Sequence, residues 1–405
     1  MRVRDGRIAA VDRACDLGRT WFGDGRVPAR ALVAGREASR DAALEAAAAA
    51  LAAAERPLVY LAPDLTCEAQ RAAVELADLL RACLDSPTSG TVLRTILAAQ
   101  EQGRAGATLG EIRNRADLLV CWGVDPMARY PRFWSRYAPE PAGLHVPEGR
   151  RSRTVIAVDV GASPGPADAD VRYAVAPEAE VDVLTELAAA VSRPSAALTV
   201  RDGAPGPGGA PALLARLLAA RYAAIVADAE PDAHEDRDPY RADALIALAH
   251  ALNGPTRCAL SALRGGGNRS GADAVLTWQT GFPMAVDFAR GTPRYRPHDG
   301  RADVCLDDGV DVVLVVGAAG GVPAGLAARM ARVRAITVGP RASDGPLAGD
   351  VAIDTGVAGI HESGTAVRMD DVPVPLRPSM SGPPSTEVIV RAVTERIVAS
   401  QGFRS

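Results

Sequence analysis

The sequence predicts an α/β protein built from doubly wound, largely parallel sheets. Short apolar runs rich in branched residues recur along the chain, and they are apolar on both faces, as buried parallel strands are. Helical stretches lie between these runs, and such strand–helix alternation is typical of open sheets with right-handed crossovers. A chain of 405 residues is also too long for one ordinary core, so two or three domains are expected.

Six apolar runs bounded by turn residues carry the strand predictions, at 57–63, 117–123, 154–160, 222–228, 311–317 and 334–340. Helices are predicted between them, at 40–54, 67–81, 180–191, 210–220, 240–252 and 324–332. Breaks rich in Pro and Gly interrupt the pattern at 138–151 and 201–211, and a third break follows at 296–304. The last strands can rejoin the sheet that residues 57–123 begin, which would make the middle of the chain an inserted domain.

The composition argues against several classes of function. Hydrophobic residues make up 48% and charged residues 23%, as in a soluble globular protein, and the net charge of −4 disfavours nucleic acid and anionic membranes as partners. All 45 basic residues are arginines, which excludes Schiff-base chemistry, a lysine base and the lysine of a phosphate-binding loop. The N-terminus lacks a signal-peptide core, and glycines and a proline split the longest uncharged run. We therefore expect a cytoplasmic protein.

The cysteines and histidines do not form a recognisable reaction centre. The cysteines lie at least 16 residues apart, so the closely spaced pairs of zinc and iron–sulfur sites are missing. The histidines likewise lack metal-ligand spacing, and the charged run "DAHEDRD" (232–238) is interpreted as a solvated loop. No G-x-S-x-G elbow or Cys/His nucleophile pair is present. The sequence thus gives no sign that the isolated chain is an enzyme.

Three segments remain as candidate binding elements. "VVGAAGGVPAGL" (315–326) follows a strand and opens a helix, but it is not G-x-G-x-x-G, so a structural turn is favoured. "RGGGNRSGAD" (264–273) exposes backbone amides that could approach an anionic or flat ligand, with a flexible loop as the alternative. The segment 275–297 combines aromatic residues with arginines and turn residues, which suits either a ligand clamp or a contact between domains.

A family resemblance enters at "RGGGNRSGADAVLTWQTGFPMAVDFARGTPRYRP" (264–297). This segment resembles the B subunit of formylmethanofuran dehydrogenase, a relative of the molybdopterin oxidoreductases. Further segments resemble successive parts of that protein in the same order, at 55–80, 110–136, 154–171 and 361–376. The resemblance implies a molybdopterin-oxidoreductase-like fold with two Rossmann-like domains, one inserted in the other. We therefore predict a remnant of the cluster domain at 1–38, a discontinuous domain of 39–150 plus 301–405, and an inserted α/β domain at 151–300.

Three departures from the redox family determine the predicted function. The family's four-cysteine iron–sulfur loop precedes the position of "CDLGRTWF" (15–22), where this sequence keeps only Cys15, and one thiolate cannot hold a four-iron cluster. Thr91 and Val92 stand about where the family has a cysteine or selenocysteine metal ligand followed by histidine, and neither can replace them. The family's histidine-rich run appears here as "PMARYPRF" (126–133), without histidine.

These losses match the B subunit of the bacterial formyltransferase/hydrolase complex of one-carbon metabolism. That resemblance implies a non-catalytic subunit without metal or cofactor, assembled with an amidohydrolase-like subunit, a formyltransferase subunit and the C subunit. The lost ligand position lies near Thr91, and the vestigial pocket region comprises Gly265, Gly266, Gly267, Asn268, Trp278, Asp287, Arg290 and Arg294. Trp278, Asp287, Arg290 and Arg294 are predicted to hold domains or subunits together. Two alternatives stay open: a redox subunit with a tungsten or molybdenum pterin, and a free-standing binding protein for a pterin-like or anionic small molecule.

Overall fold

A computed structural model of the chain describes residues 1–193, 209–230, 238–400 and 402. Most of the break at 201–211 and nearly all of the charged run at 232–238, including His234, lie outside the described residues. The chain forms two compact units: unit 1 consists of Met1–Gly90 and Gly266–Ser405, and unit 2 of Thr91–Gly265. Within the described part of the chain, no helix combines the length and the apolar character needed to cross a membrane.

The strands are numbered in chain order. They are β1 (Arg2–Arg4), β2 (Arg7–Ala10), β3 (Ala31–Val33), β4 (Arg36–Glu37), β5 (Pro57–Leu61), β6 (Cys83–Asp85), β7 (Leu118–Trp122), β8 (Thr154–Val160), β9 (Val171–Val175), β10 (Ala223–Asp228), β11 (Cys258–Leu263), β12 (Val286–Asp287), β13 (Arg294–Tyr295), β14 (Val312–Val316), β15 (Arg334–Gly339), β16 (Val351–Asp354), β17 (Gly364–Val367) and β18 (Pro373–Leu376).

The α-helices are numbered in the same way. They are α1 (Asp16–Phe22), α2 (Arg40–Ala52), α3 (Cys67–Leu79), α4 (Thr88–Thr91), α5 (Leu93–Gln102), α6 (Leu109–Arg115), α7 (Pro126–Arg129), α8 (Pro131–Arg136), α9 (Glu180–Ser192), α10 (Gly209–Ala219), α11 (Arg241–Leu252), α12 (Arg269–Thr280), α13 (Ala302–Asp307), α14 (Ala324–Met330) and α15 (Thr386–Ser400).

Unit 1 is organised by a sheet in which the described strands follow the order β13-β12-β6-β5-β14-β15-β16-β3-β4. The five strands from β6 to β16 are parallel, and antiparallel strands flank them on both sides. Side chains alternate along the central strands, so that Val59 and Leu314 enter one core while Leu58 and Val313 enter the core on the other face. The sheet is thus buried on both faces, which explains why its strands read as continuous apolar runs.

Unit 2 contains an all-parallel sheet in which the described strands follow the order β11-β10-β7-β8-β9. Its strands pack against α5, α9, α10 and α11 through one apolar cluster. Trp122 at the end of β7 is fully buried there, and its indole nitrogen donates to Glu180 over 2.8 Å. The same Glu180 oxygen pairs with Arg241 at 2.8 Å, so a buried ion pair ties the start of α11 to that of α9.

Several helices begin where the sequence supplies a capping side chain. The hydroxyl oxygens of Ser39, Thr66 and Thr108 accept from the backbone amides three residues later, at the starts of α2, α3 and α6. Each such cap satisfies an amide that has no partner within the helix, and its loss costs about 1 kcal/mol. Local chemistry therefore fixes these helix starts before any packing is considered.

The predicted class, α/β with largely parallel sheets, is confirmed, and the six predicted runs all form strands. The segment inserted in the chain is 91–265, whereas the sequence suggested 151–300. The difference arises because β7 pairs with β8 and β10 and so belongs to the inserted unit's sheet. An apolar run predicts a buried strand, but it does not indicate which other strand that strand pairs with.

Candidate functional site

The strand order of each sheet reverses at one point, and open α/β sheets bind ligands at the carboxyl ends of the strands beside such a point. In unit 1 the reversal lies between β5 and β14, since the chain proceeds from β5 to β6 on one side and from β14 to β15 and β16 on the other. In unit 2 it lies between β7 and β10. The loops that follow these four strands are therefore the places to look for a site.

The triglycine segment packs closely against the loop that follows β5. Gly267 has a φ of +77°, and a Cβ added there would lie 2.6 Å from Cβ of Pro63, in the loop after β5. Its carbonyl oxygen accepts from the Asp64 amide at 2.8 Å. Gly266 is exposed, and an added Cβ would meet no atom within 4 Å, while the Gly265 amide donates to Glu230 at 3.1 Å. Position 267 therefore requires the absence of a side chain, and position 266 does not.

Asn268 has a structural role beside that loop. It adopts the left-handed conformation with φ +60° and precedes α12. Its side-chain nitrogen donates to the Leu65 carbonyl at 2.8 Å, and its oxygen accepts from the Val367 amide at 2.7 Å. A Cβ on Gly271 would lie 2.1 Å from that oxygen, so position 271 must also be glycine. The segment that suggested a ligand grip thus joins the β5–α3 loop to β17 inside unit 1.

The aromatic and arginine-rich segment divides into buried and exposed parts. Asp287 is buried and accepts from the Ala289 amide at 2.8 Å and from Arg296 at 3.2 Å. Arg296, rather than Arg290 or Arg294, is therefore its ion-pair partner. Trp278 is 67% exposed, and Arg290 and Arg294 are exposed as well. Phe282 and Tyr295 stack with ring centroids 5.1 Å apart, where β12 and β13 extend the edge of the sheet.

The loop after β6, where the sequence places the lost ligand, is held by internal hydrogen bonds. Asp85 is buried and accepts from the Ser89 hydroxyl and from the Ala302 amide, both at 2.7 Å, and from the Ala285 amide at 3.3 Å. Burial raises the pKa of Asp85 to about 6. Thr88 donates to Asp273 at 2.6 Å.

The predicted ligand position itself follows at the end of α4. Thr91 is its last residue and is exposed, whereas Val92 is buried. Neither side chain offers a soft donor. The polar groups of the preceding loop, for their part, hydrogen-bond to one another, to the backbone of unit 1 and to Asp273 in α12.

A cavity that the sequence did not indicate opens at the reversal point of unit 1. It has a volume of about 320 Å³ and lies beside the carboxyl ends of β5, β14, β15 and β16. Apolar groups and four charged residues line it together with the exposed ring of Trp21: Asp24, Arg26, Asp64, Arg341, Val27, Ala318, Pro340, Val357 and Ile360.

Two of the cavity residues hold conformations that side chains rarely adopt. Asp64 has φ +70° and Arg341 has φ +57°, and each follows a central strand of the sheet. The indole nitrogen of Trp21 donates to Asp64 at 3.4 Å, and burial raises the pKa of Asp64 above its ordinary value. Arg341 donates to the Arg26 carbonyl at 2.6 Å. Backbone strain of this kind concentrates at functional positions, which makes the cavity the best candidate site of unit 1.

The reversal point of unit 2 is occupied by the chain's own side chains. Asp228, at the end of β10, is buried and pairs with Arg129, and it accepts from the Tyr130 hydroxyl at 3.2 Å and from the Glu230 amide at 2.8 Å. Arg264 lies 3.8 Å from Glu230. Burial raises the pKa of both Asp228 and Tyr130. The segment 126–133, predicted to have lost a histidine-rich run, therefore supplies an arginine and a tyrosine to a polar cluster.

The remaining sequence candidates are structural. In the turn 315–326, Gly317 has φ +111° and a Cβ there would lie 2.7 Å from the Ala62 carbonyl oxygen, so this glycine serves close packing after β14. His361 is half-buried and accepts from the Val357 amide at 3.1 Å, while burial lowers its pKa. Within the described ranges, no three side chains of His, Cys, Asp or Glu converge to hold a metal ion.

Comparisons with known proteins identify relatives along nearly the whole chain, although no family model matches. The B subunit of tungsten-containing formylmethanofuran dehydrogenase 2 from Methanocaldococcus jannaschii is 30% identical over 404 residues, covering 94% of this chain and 90% of that protein. The corresponding protein of Methanococcus maripaludis is 30% identical over 351 residues, covering 85% and 79%.

A solved structure resembles the fold. A chain in the crystal structure of the formyltransferase/hydrolase complex from Methylorubrum extorquens, in complex with methylofuran, superposes with a TM-score of 0.76 at 24% identity. The alignment covers 92% of this chain and 100% of that one. At this identity the likeness establishes a shared fold.

The two sequence relatives are named as tungsten-containing, so the donor set of this chain can be tested against that metal. A thiolate is the expected soft ligand. Cys67 is buried beside Asn268, and the other thiols of unit 1 are Cys15 at the start of α1 and the pair Cys83 and Cys305. In unit 2, burial raises the pKa of Cys258 to about 12 and the pKa of Cys121 still further.

Burial therefore disfavours the thiolate form of both unit 2 thiols, and none of the six cysteines lies in the segment 84–92. Thr91 and Val92 cannot substitute for a thiolate ligand there. The side chains of the segment 84–92 thus do not fit a tungsten centre. The ancestry is nevertheless established, because two relatives match at 30% identity along most of the sequence. The chain belongs to the family of formylmethanofuran dehydrogenase B subunits.

Proposed function

We propose that this chain is a non-catalytic, structural subunit of a cytoplasmic formyltransferase/hydrolase complex. That complex converts formyl-tetrahydromethanopterin to formate via formylmethanofuran in one-carbon metabolism. Its other members are an amidohydrolase-like subunit, a formyltransferase subunit and the C subunit, and this chain carries neither metal nor cofactor.

One observation carries the proposal, namely the state of the segment 84–92. The carboxylate of Asp85 and the hydroxyls of Thr88 and Ser89 are engaged in hydrogen bonds within unit 1. Thr91 and Val92 provide a hydroxyl and an isopropyl group where a metal ligand and an acid–base imidazole are expected. A family scaffold is thus retained while the groups needed for redox chemistry are replaced.

The direct test is reconstitution of the complex with and without this chain. We expect that the other subunits assemble incompletely in its absence and that formate release falls at least several-fold. The chain alone should show no formylmethanofuran oxidation with a dye acceptor. Complete assembly and full activity without the chain would contradict a structural role.

The exposed part of the aromatic segment is the proposed contact with another subunit. Trp278 is 67% exposed on α12, and Arg290 is exposed in the turn between β12 and β13, which is the mixture of aromatic and arginine side chains enriched at protein interfaces. Trp278→Ala with Arg290→Ala should leave the stability of the isolated chain unchanged and weaken its retention in the complex about tenfold or more. Arg332→Ala, at an exposed arginine in another turn, is the control. Unchanged retention of the double variant would exclude this surface.

The cavity of unit 1 favours a second role, the binding of a small ligand with a flat ring and an anionic group. The exposed ring of Trp21 offers a stacking surface, while Arg26 and Arg341 offer guanidinium donors, and the Arg341 side chain is held by its hydrogen bond to the Arg26 carbonyl. A nucleoside monophosphate is a suitable probe for calorimetric titration. Binding by the wild type that Arg341→Gly abolishes would support this role, and equal heats for the two proteins would reject it.

A further inference from the structure

Two thiols of unit 1 face one another between a strand and a helix. Cys83 is the first residue of β6 and Cys305 lies in α13. The two thiols are close enough for each to shift the pKa of the other, and both residues belong to the same apolar contact region on one face of the sheet. They are separated by more than half of the chain's length, including the whole of unit 2, so the fold alone brings them together.

The backbone geometry accounts for this pairing independently of the thiols. Cys83 and Asp85 are two apart in a strand and point to one face, and Ala302 and Cys305 are three apart in a helix and share one side. The Asp85 carboxylate accepts from the Ala302 amide at 2.7 Å. Because the Asp85 side chain bonds to the start of α13, the side of β6 that carries Cys83 faces the side of α13 that carries Cys305.

The surroundings of the two thiols differ in a way that divides their roles. Cys83 is partly exposed, whereas Cys305 is 4% exposed. The neighbouring Cys305 thiol lowers the pKa of Cys83, with Arg296 and Arg56 acting in the same direction and burial and Asp287 opposing it. The neighbouring Cys83, together with burial, raises the pKa of Cys305.

We propose that Cys83 and Cys305 form a reversible disulfide, with Cys83 as the thiol that reacts first and Cys305 as the resolving thiol. The Cys83 thiolate attacks one oxygen of hydrogen peroxide, the O–O bond breaks, and hydroxide leaves to give a sulfenic acid. The Cys305 sulfur then attacks the Cys83 sulfur, its proton passes to the departing hydroxyl, and water leaves. Two thiols and one peroxide thus become one disulfide and two waters, and an external dithiol reverses the change.

The disulfide would tie β6 to α13 beside the carboxylate of Asp85. Its two residues enclose a chain segment of more than two hundred residues, so the cross-link restricts the unfolded chain strongly. We therefore expect the oxidised protein to melt several degrees above the reduced protein. The cross-link gives the chain a redox-dependent stability that does not depend on the proposed role in the complex.

The experiment treats the reduced, folded full-length chain with hydrogen peroxide and maps its peptides by mass spectrometry without reduction. A cross-linked peptide pair containing Cys83 and Cys305, lighter by two hydrogens and restored by dithiothreitol, is expected. Cys305→Ser should give a dimedone adduct at Cys83 with no cross-link, and Cys83→Ser should give no adduct at Cys305. Cys67→Ser, at a buried thiol of the same unit, should cross-link like the wild type.

Two results would overturn the proposal. One is wild-type protein that stays free of the cross-link while other thiols oxidise. The other is a Cys305→Ser variant, folded by circular dichroism, whose Cys83 reacts with peroxide no faster than Cys15. Should that variant fail to fold, the wild-type peptide map and the rate of alkylation of Cys83 by iodoacetamide, expected to exceed that of Cys15 at neutral pH by ~3-fold or more, decide the question.

Discussion

The two units differ at the point where the strand order of the sheet reverses. In unit 1 the strand order reverses between β5 and β14, and a cavity of about 320 Å³ opens beside those strands. In unit 2 the order reverses between β7 and β10, and Arg129, Tyr130 and Glu230 gather around Asp228. Strand order thus determines where a ligand could bind, while the side chains of the following loops decide whether that position is an open cavity or a stabilising polar cluster.

The largest expected effect concerns the polar interior of unit 2. Glu180 is fully buried, Arg241 is 8% exposed, and Trp122 donates to the same carboxylate oxygen. Glu180→Ala leaves a buried guanidinium without its counter-ion, so the free energy of unfolding should fall by about 3–5 kcal/mol. Glu178→Ala, at an exposed position two residues earlier, should change it by less than ~0.5 kcal/mol.

Chemical denaturation of both variants measures this difference. A loss below ~1 kcal/mol for Glu180→Ala would mean that the buried polar groups do not stabilise the carboxyl ends of the unit 2 strands. The proposed difference between the two units would then be wrong.

The second effect is a pH dependence in unit 1. Burial raises the pKa of Asp85 to about 6 in the folded chain, so the folded state binds this proton more readily than the unfolded state. Stability should therefore be greatest below about pH 4 for this group and should decline by up to about 3 kcal/mol as the pH rises to about 6, with no further change above.

Asp85→Asn removes the titration, so the difference in unfolding free energy between the wild type and this variant should vary between about pH 4 and about pH 6. A difference that is constant across that range would contradict the raised pKa. Asp311→Asn is a control for which the opposite pH dependence of stability is expected. Burial opposes ionisation of Asp311, but hydrogen bonds from the backbone amides of Glu55 and Arg56 overcome it and lower the pKa of Asp311 below its ordinary value.

The third effect separates neighbouring glycines of the segment 264–268. Gly267→Ala introduces a Cβ at 2.6 Å from Pro63 in a left-handed conformation, so a loss of about 2–3 kcal/mol is expected. Gly266→Ala, where an added Cβ meets nothing within 4 Å, should be neutral or slightly stabilising. Equal melting temperatures for the two variants would restore the interpretation of this segment as a flexible ligand loop.

The smallest effect tests the strain at the cavity. Arg341 has φ +57°, which glycine adopts without cost, so Arg341→Gly should leave stability unchanged or raise it by up to ~1 kcal/mol. Arg332→Gly, outside the left-handed region, should lower stability by about 0.5–1 kcal/mol. If both variants lose stability equally, the contacts of the Arg341 side chain outweigh the cost of its left-handed backbone conformation.

Local chemistry made part of this structure predictable. The strands β5, β14 and β15 appear in the sequence because buried parallel strands must be branched and apolar on both faces. The short strand β6, with three residues, has no such signature. Helix starts at Ser39 and Thr66 follow from capping side chains, which act within four residues.

The site depended on contacts that no local pattern encodes. Asn268 is fixed by Leu65 and Val367, each about one to two hundred residues away in the chain, and Asp287 pairs with Arg296 although two other arginines lie near it in the sequence. Asp64 and Arg341 lie two or three residues beyond the end of a strand, and a charged residue after "AP" or "GP" at a strand end is the one signal that could have pointed to the cavity. Their left-handed conformations, however, are set by packing.

We infer that this chain kept the family scaffold without the family's metal chemistry. Its most direct test is elemental analysis of the chain purified at constant ratio with its partner subunits, combined with the visible absorption spectrum. We expect tungsten and molybdenum far below one atom per chain and no iron–sulfur absorbance, in an assembly that still releases formate. One tungsten or molybdenum atom per chain together with cluster absorbance would contradict it.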